Sequence, residues 1–290
     1  MQVLAADVDA DQQKEILVTG KNYTGRELFV YCLEFESNTL SFKWRSDNLF
    51  EERSILWSAL GNFDGRGEQL AVLTNSRTYL YQLTPANLQL LRRYNNEFEP
   101  LAVTAADLDG DGVTELLIAK VGKVTAQAYN CVVEIWKLGD HQLEKVYQSD
   151  LLGNIRGLAA GDLDHDNQVE IVVEEGLRLT TGNLRIYNYT EGRLVEKTKF
   201  RLNNNGAIYA LKVRSLPEGR RLITGSVQGK INLLALTGGK VTATVPELAL
   251  KSSLIDLEVA DLNGDGRLEL ITASYPRKVQ ILSYSRNSRN

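Results

Sequence analysis

The sequence predicts an all-β chain folded as a β-propeller of about six four-stranded blades, and three observations lead there. A nine-residue acidic loop recurs just before a run of aliphatics, its copies are spaced like propeller blades, and the segments between them are short and β-rich. Self-similarity at a period of about 40–50 residues marks radial repeat folds.

The clearest copies read DLDGDGVTELLIA from Asp107, DLDHDNQVEIVV from Asp162, DLNGDGRLELIT from Asp261 and DVDADQQKEILV from Asp7. GNFDGRGEQLAVL, anchored at Asn62, is a degraded version, and LKVRSLPEGRRLITGS from Leu211 keeps the apolar frame without the acids. The six anchors are Asp7, Asn62, Asp107, Asp162, Ser215 and Asp261, at spacings of 55, 45, 55, 53 and 46 residues. Within the third unit PLAVTAADL leads into the loop, and ELLIAKV, NCVVEIWKL and QLEKVYQ follow it. The fourth continues in the same way with VEIVVEE, NLRIYNY and RLVEKTKF. These runs of Val, Ile, Leu and Tyr, bounded by Gly, Asn or Asp, read as strands. No helical i, i+3, i+4 stripe persists over a useful length. One radial propeller over residues 1–290 suits the length better than two sandwiches, and no composition break marks a boundary.

Both ends of the chain bear on the ring. MQVLAAD opens directly as an innermost strand, and only 29 residues follow Asp261, enough for RKVQILSY but not for a fourth strand. The last blade is therefore expected to be incomplete. An unpaired edge invites aggregation, which favours an upstream strand having been removed, and a longer parent has room for a seventh blade.

The loops carry the chemistry. Acids at positions 1, 3, 5 and 9, with a turn-former at 6, converge oxygen on one point. Asp107, Asp109, Asp111 and Glu115 supply carboxylates, the Val113 carbonyl fills position 7, and Gly112 permits the positive φ of a tight loop. Four carboxylates this close do not all stay ionised without a cation between them. A hard ion taking six to eight oxygens fits, which favours calcium over magnesium. The same assignment gives Asp7, Asp9, Asp11, Gln13 and Glu15 in the first loop and Asp162, Asp164, Asp166, Gln168 and Glu170 in the fourth. In the last it gives Asp261, Asn263, Asp265, Arg267 and Glu269, for about four calcium ions in all. Position 12 is Val18, Ile118, Val173 or Thr272, so a helical EF-hand with its bidentate Glu is disfavoured. These are strand–loop–strand sites. A solvated Asp-Gly turn is the plain alternative, but four copies in register favour metal. In the second loop Arg66 stands where an Asp belongs; its guanidinium is expected to replace the ion, held by Asp64 with Glu68 as a further partner, unless it simply lies in solvent. In the fifth unit Arg221 takes the place of the terminal Glu.

Composition narrows the function classes. Hydrophobic residues make up 43% of the chain, enough for a sizeable core. No apolar stretch approaches 18 residues, so none is expected to span a membrane, and the start carries no basic, apolar secretion signal. Cys32 and Cys131 fall on third strands of different blades and read as unpaired core residues. Asn22 and Asn188 lie in N-Y-T sequons. Of 37 acids, fifteen sit in the four good loops, and the remaining 22 face 33 Lys and Arg. With the loops neutralised the particle turns positive, which leans toward anionic polymers. Nucleic acid is disfavoured, because no basic stripe with interleaved aromatics occurs.

The chain resembles the FG-GAP and VCBS repeats, the propeller repeats of integrin α-subunit heads and of many secreted bacterial proteins. The residues that carry the likeness are GNFDG from Gly61, VTAADLDG from Val103, LAAGDLDHD from Leu158 and VADLNGDG from Val259. The resemblance implies an extracellular or cell-surface setting. It also implies that each calcium loop joins the first and second strands of a blade on the lower face, the ions acting as structural staples while a protein or glycan ligand meets the upper face. The candidate surface then comprises segments 21–25, 48–53, 122–130, 149–156, 176–182, 203–206 and 275–277, with Tyr23, Phe50, Tyr129, Arg156, Tyr209 and Tyr275 as contact residues. Stepping back from the anchors by twos, the channel wall reads Ala59, Thr104, Ala159, Lys212 and Glu258, with Lys212 and Glu258 expected to pair.

The leading expectation is a calcium-stabilised, non-catalytic binding or adhesion module. A lectin with pockets between blades is the second. A polysaccharide-active, lyase-type enzyme working at the channel mouth is the third. The only histidines are His141, in a turn, and His165, inside a loop, and no Ser-His-Asp or Cys-His arrangement is recognisable.

Overall fold

The computed structural model describes residues 1–21, 27–49, 57–96, 99–124, 129–176, 182–202, 206–243, 248–276 and 278–284, which form 24 strands and no helix. The strands fall into six antiparallel sheets, each a meander in chain order. Blade 1 holds β1 (Gln2–Ala6), β2 (Glu15–Lys21), β3 (Leu28–Glu36) and β4 (Thr39–Arg45); blade 2 holds β5 (Trp57–Gly61), β6 (Gln69–Leu73), β7 (Arg77–Leu83) and β8 (Leu88–Asn95). Blade 3 is β9 (Pro100–Ala106), β10 (Glu115–Val124), β11 (Tyr129–Leu138) and β12 (Leu143–Gln148), and blade 4 is β13 (Ile155–Gly161), β14 (Glu170–Glu175), β15 (Asn183–Thr190) and β16 (Arg193–Arg201). Blade 5 has β17 (Ile208–Leu216), β18 (Gly219–Ser226) and β19 (Lys230–Thr237), with an outer edge built from β20 (Lys240–Ala243) and β21 (Leu248–Ala249). Blade 6 has three strands among the described residues: β22 (Leu254–Ala260), β23 (Leu268–Ser274) and β24 (Lys278–Tyr284).

The first strand of every blade faces the axis. Round the ring they run β1, β5, β9, β13, β17, β22 and back to β1. Side chains stitch neighbours together: the Val3 amide donates to Asp256 Oδ2 at 3.0 Å, and the Ser58 amide donates to Gln2 Oε1 at 2.6 Å. Six blades close the propeller.

Each sheet is covered on both faces by its neighbours, so the middle strands are apolar throughout rather than alternating. QLAVL of β6 and Leu116–Ala119 of β10 are buried at every position. The core is accordingly six inter-blade clusters instead of one centre. Phe63, Leu80, Leu116 and Ile118 pack blade 2 on blade 3, and Val3, Ile16, Leu262 and Ile271 pack blade 6 on blade 1. Cys32 and Cys131 are buried and unpaired within these layers, as the sequence indicates.

Blades 1 to 4 repeat a detail that the sequence pattern does not reveal. Between the third and fourth strands the register slips by one residue, at Cys32/Leu33, Leu80/Tyr81, Ile135/Trp136 and Ile186/Tyr187. Such a bulge increases the twist and re-aims the extra residue's side chain. In blades 1 and 4 that extra residue is a lysine, Lys43 or Lys197.

Candidate metal centres and the channel mouth

The acidic loops join the first and second strands of blades 1, 3, 4 and 6, all at one end of the ring. Their backbone is shaped by the same side-chain bonds each time. The first Asp accepts the amide five residues on, as Asp107 Oδ2 does from Gly112 at 2.9 Å and Asp261 Oδ2 from Gly266 at 2.9 Å. The fifth-position Asp accepts the amide two residues on, as Asp11 does from Gln13, Asp111 from Val113, Asp166 from Gln168 and Asp265 from Arg267. The terminal Glu is buried and reaches back to the second residue of its loop: Glu15 to Val8, Glu115 to Leu108, Glu170 to Leu163 and Glu269 to Leu262. Left-handed backbone occurs at position 6 and also at position 4, where the sequence reading placed none. Gly110, Ala10, His165 and Gly264 take it there.

This geometry gathers oxygen. Asp7, Asp9 and Glu15, Asp107, Asp109 and Glu115, and Asp162, Asp164 and Glu170 each bring carboxylate oxygens within 4.8 Å of one another. These are the three all-carboxylate groups among the described residues that can hold a metal ion. The Asp261 loop is not one of them, because Asn263 puts an amide at position 3. Asp11, Asp111 and Asp166 lie outside the tight triads, on the exposed rim.

A cation already enters each triad. Lys43 Nζ lies 2.7 Å from Asp9 and 2.6 Å from Glu15; Lys197 Nζ lies 2.7 Å from both Asp164 and Glu170. Lys137 Nζ sits 2.9 to 3.1 Å from Asp109, Asp111 and Glu115. Asp109, with Asp111 and Glu115, holds the Lys137 ammonium above its ordinary range, whereas burial pushes the Glu115 and Glu170 carboxyls up despite their lysine partners. One ammonium against three carboxylates leaves the first two triads net negative, and the third stays negative although Arg220 Nη1 adds a second cation 3.2 Å from Asp162 Oδ2. Asp7 Oδ1, Asp9 Oδ1 and Asp164 Oδ1 are buried without a hydrogen bond, so the loops of blades 1 and 4 have oxygen to spare for a divalent ion.

The degenerate copies correct two expectations. In blade 2 the guanidinium near the loop is that of Arg92, with Nη1 3.5 Å from Asp64, while Arg66 contributes only its backbone amide, to Asp64 Oδ1. Arg92 also pairs with Asp140 at 2.7 Å. The loop is one residue shorter than its relatives, so Gln69, not Glu68, occupies the terminal place and accepts the Phe63 amide. In blade 5 the loop is gone: β17 and β18 meet in a tight hairpin at Pro217 and Glu218, and Arg221 donates to the carbonyls of Arg220 and Glu218.

The sequence reading missed the lysines because they lie on other strands, yet a signal exists. Lys43, Arg92 and Lys197 are each the fifth residue of a fourth strand. In blade 3 that place is Tyr147, and Lys137 of β11 substitutes.

The channel is lined as expected by Ala59, Thr104, Ala159 and Lys212 and narrows to a cavity of about 80 Å³. Lys212 pairs with Glu258 as expected, but only loosely, and a closer partner takes that carboxylate. Glu258 is held by Arg214 through two bonds of 2.6 Å, and Lys212 stands off at 3.9 Å from it and 3.6 Å from Asp256. Burial alone would raise the Glu258 carboxyl, and the Arg214 guanidinium outweighs it and holds the group low. Asp256 goes the other way, raised by burial and only partly compensated by Lys212.

At the opposite end from the acidic loops the channel opens into a second cavity of about 200 Å³, bordered by Trp57, Tyr209 and Lys212. Of the surface residues expected there, Tyr209 and Tyr275 are exposed and Arg156 is partly buried. Tyr23 and Phe50 lie outside the described residues, as do segments 22–26, 50–56, 125–128, 177–181 and 203–205 and Arg277; for Tyr129 the side chain does. Of the sequons, Asn22 is also outside them, and Asn188 sits mid-strand with a buried, unbonded Oδ1.

No protein-family model matches the chain, and no curated protein matches it significantly. No helix among the described residues is long and apolar enough to cross a membrane.

Proposed function

We propose that the chain is a calcium-binding propeller of FG-GAP/VCBS-like repeats, a non-catalytic module that recognises a protein or glycan through the face opposite its acidic loops. One observation carries the metal reading: three loops at equivalent places bring carboxylate oxygens within 4.8 Å, and in blades 1 and 4 some of those oxygens are buried without a hydrogen bond. Asp7, Asp9 and Glu15, Asp107, Asp109 and Glu115, and Asp162, Asp164 and Glu170 would hold the ions, with Asp261, Asn263 and Glu269 as a fourth set. Bound calcium would supply charge neutralisation and fix the entry to each second strand. The assignment to these repeats rests on the motif and its blade spacing, as does the extracellular setting.

Calcium titration by calorimetry, with bound metal counted after gel filtration, tests the reading. About four ions are expected, and Asp109→Ala is expected to remove one. Unchanged stoichiometry in that variant, or no binding at millimolar calcium, overturns it. A glycan array and a protein-ligand screen with the intact chain test the recognition half.

A further inference from the structure

The cavity at the upper channel mouth has features that simple packing does not require. Lys212 points into it with its side chain 14% exposed, and among the described residues its ammonium makes no hydrogen bond. Its ion pairs with Asp256 and Glu258 are long, at 3.6 and 3.9 Å, a gap that an inserted hydroxyl would close. Leaving a largely buried ammonium short of acceptors is costly. Trp57 and Tyr209 stand on blades 2 and 5, which face each other across a six-membered ring, so aromatic rings border the mouth from opposite sides. The Trp57 indole N–H is already spent on the Pro100 carbonyl at 2.9 Å, which fixes the ring and leaves its contribution to the cavity apolar.

We propose that this cavity binds a single uncharged sugar ring, the exposed residue of a glycan. A pyranose has apolar C–H faces that pack on aromatic rings and adjacent hydroxyls that both donate and accept. Lys212 supplies donors and the Asp256 carboxyl supplies acceptors, which together match a pair of hydroxyls. Net charge excludes a preference for anions: Arg214 satisfies Glu258, and Lys212 balances Asp256. Size agrees, because pockets for drug-sized ligands run to about 300–1,000 Å³ and this one is about 200 Å³. The inference rests on the recognition reading above and narrows it to one ligand class and one place; metal occupancy does not enter.

The test uses the full chain, with methyl glucopyranoside, galactopyranoside and mannopyranoside as neutral probes and methyl glucuronoside as the charged control. Saturation-transfer NMR and tryptophan fluorescence are expected to show 1:1 binding of at least one neutral probe. Tyr209→Ala and Lys212→Met should each weaken it roughly tenfold without moving the melting temperature by more than a few degrees. Binding that survives both variants, or a preference for the glucuronoside, overturns the proposal. Glycan-array binding that persists in both variants overturns the pocket while leaving the recognition reading intact. Silence of the pyranosides and of both the array and the protein-ligand screen overturns both.

Discussion

Lys43 and Lys197 are the bulged residues of two outer strands, and the bulge turns an otherwise solvent-facing side chain in beneath an acidic loop. An ammonium there and a divalent ion compete for the same oxygens. Calcium entering the fourth loop must break the contacts of Lys197 with Asp164 and Glu170. Lys197→Met is therefore expected to lower the stability of the calcium-free protein by about 1–2 kcal/mol while raising that loop's calcium affinity roughly tenfold. Calorimetry on parent and variant checks both, and an unaltered affinity would mean that the lysine lies clear of the ion's place. A second residue-scale consequence concerns Glu174 on β14, fully buried with neither oxygen hydrogen-bonded. Burial raises its carboxyl from 4.5 to about 8, with Arg156 and the nearby Ile208 amide offsetting only part. A raised acid stabilises the fold below its unfolded value and loses that contribution as pH climbs toward 8. Glu174→Gln is expected to match the parent near pH 5 and to exceed it above pH 8 by on the order of a few kcal/mol, read from urea unfolding at the two pH values.

At the scale of elements, the acidic loops were legible because their chemistry fixes spacing: oxygens at positions 1, 3 and 9 converge only if the residues fall there. The strands around them were legible because sheets covered on both faces need long aliphatic runs. What escaped has equally physical causes. The register slip that aims Lys43 leaves no mark in hydrophobic pattern, since SFKW reads as a normal outer strand. The lost residue in the Asn62 loop hid Gln69, which an ungapped alignment places one position short of the terminal Glu. Arg214, whose guanidinium holds Glu258 more closely than Lys212 does, lies two residues along the same strand, and spacing alone does not rank the two cations. Inter-blade contacts were illegible too, and Gly157 illustrates them. A Cβ there would fall 2.7 Å from Leu211 Cδ1 and 3.1 Å from the Ile208 carbonyl of the next blade. The leucine end can give, but the backbone oxygen cannot easily do so. Gly157→Ala is expected to cost about 1–3 kcal/mol, seen as a lower urea midpoint with an unchanged slope.

For the whole molecule, stability is spread over six separate interfaces, and the ring must close between β22 and β1. The blade on one side of that closure is the least reinforced. Blade 6 has three strands among the described residues, and its acidic loop lacks the lysine that reaches into the loops of blades 1, 3 and 4. If calcium fills the loops as proposed, its withdrawal leaves those with an internal ammonium partly neutralised, whereas among the described residues no ammonium reaches Asp261, Asp265 and Glu269. An ion bound to the folded state alone adds about 2.7 kcal/mol at a hundredfold excess over its Kd. Chelation is thus expected to lower the melting temperature and to loosen blade 6 first. Hydrogen exchange should show β22 and β23 losing protection in chelator while β10 and β14 keep theirs. Uniform loss across all blades would place the ions on an equal footing, and no loss anywhere would mean that the lysines alone suffice to hold the loops.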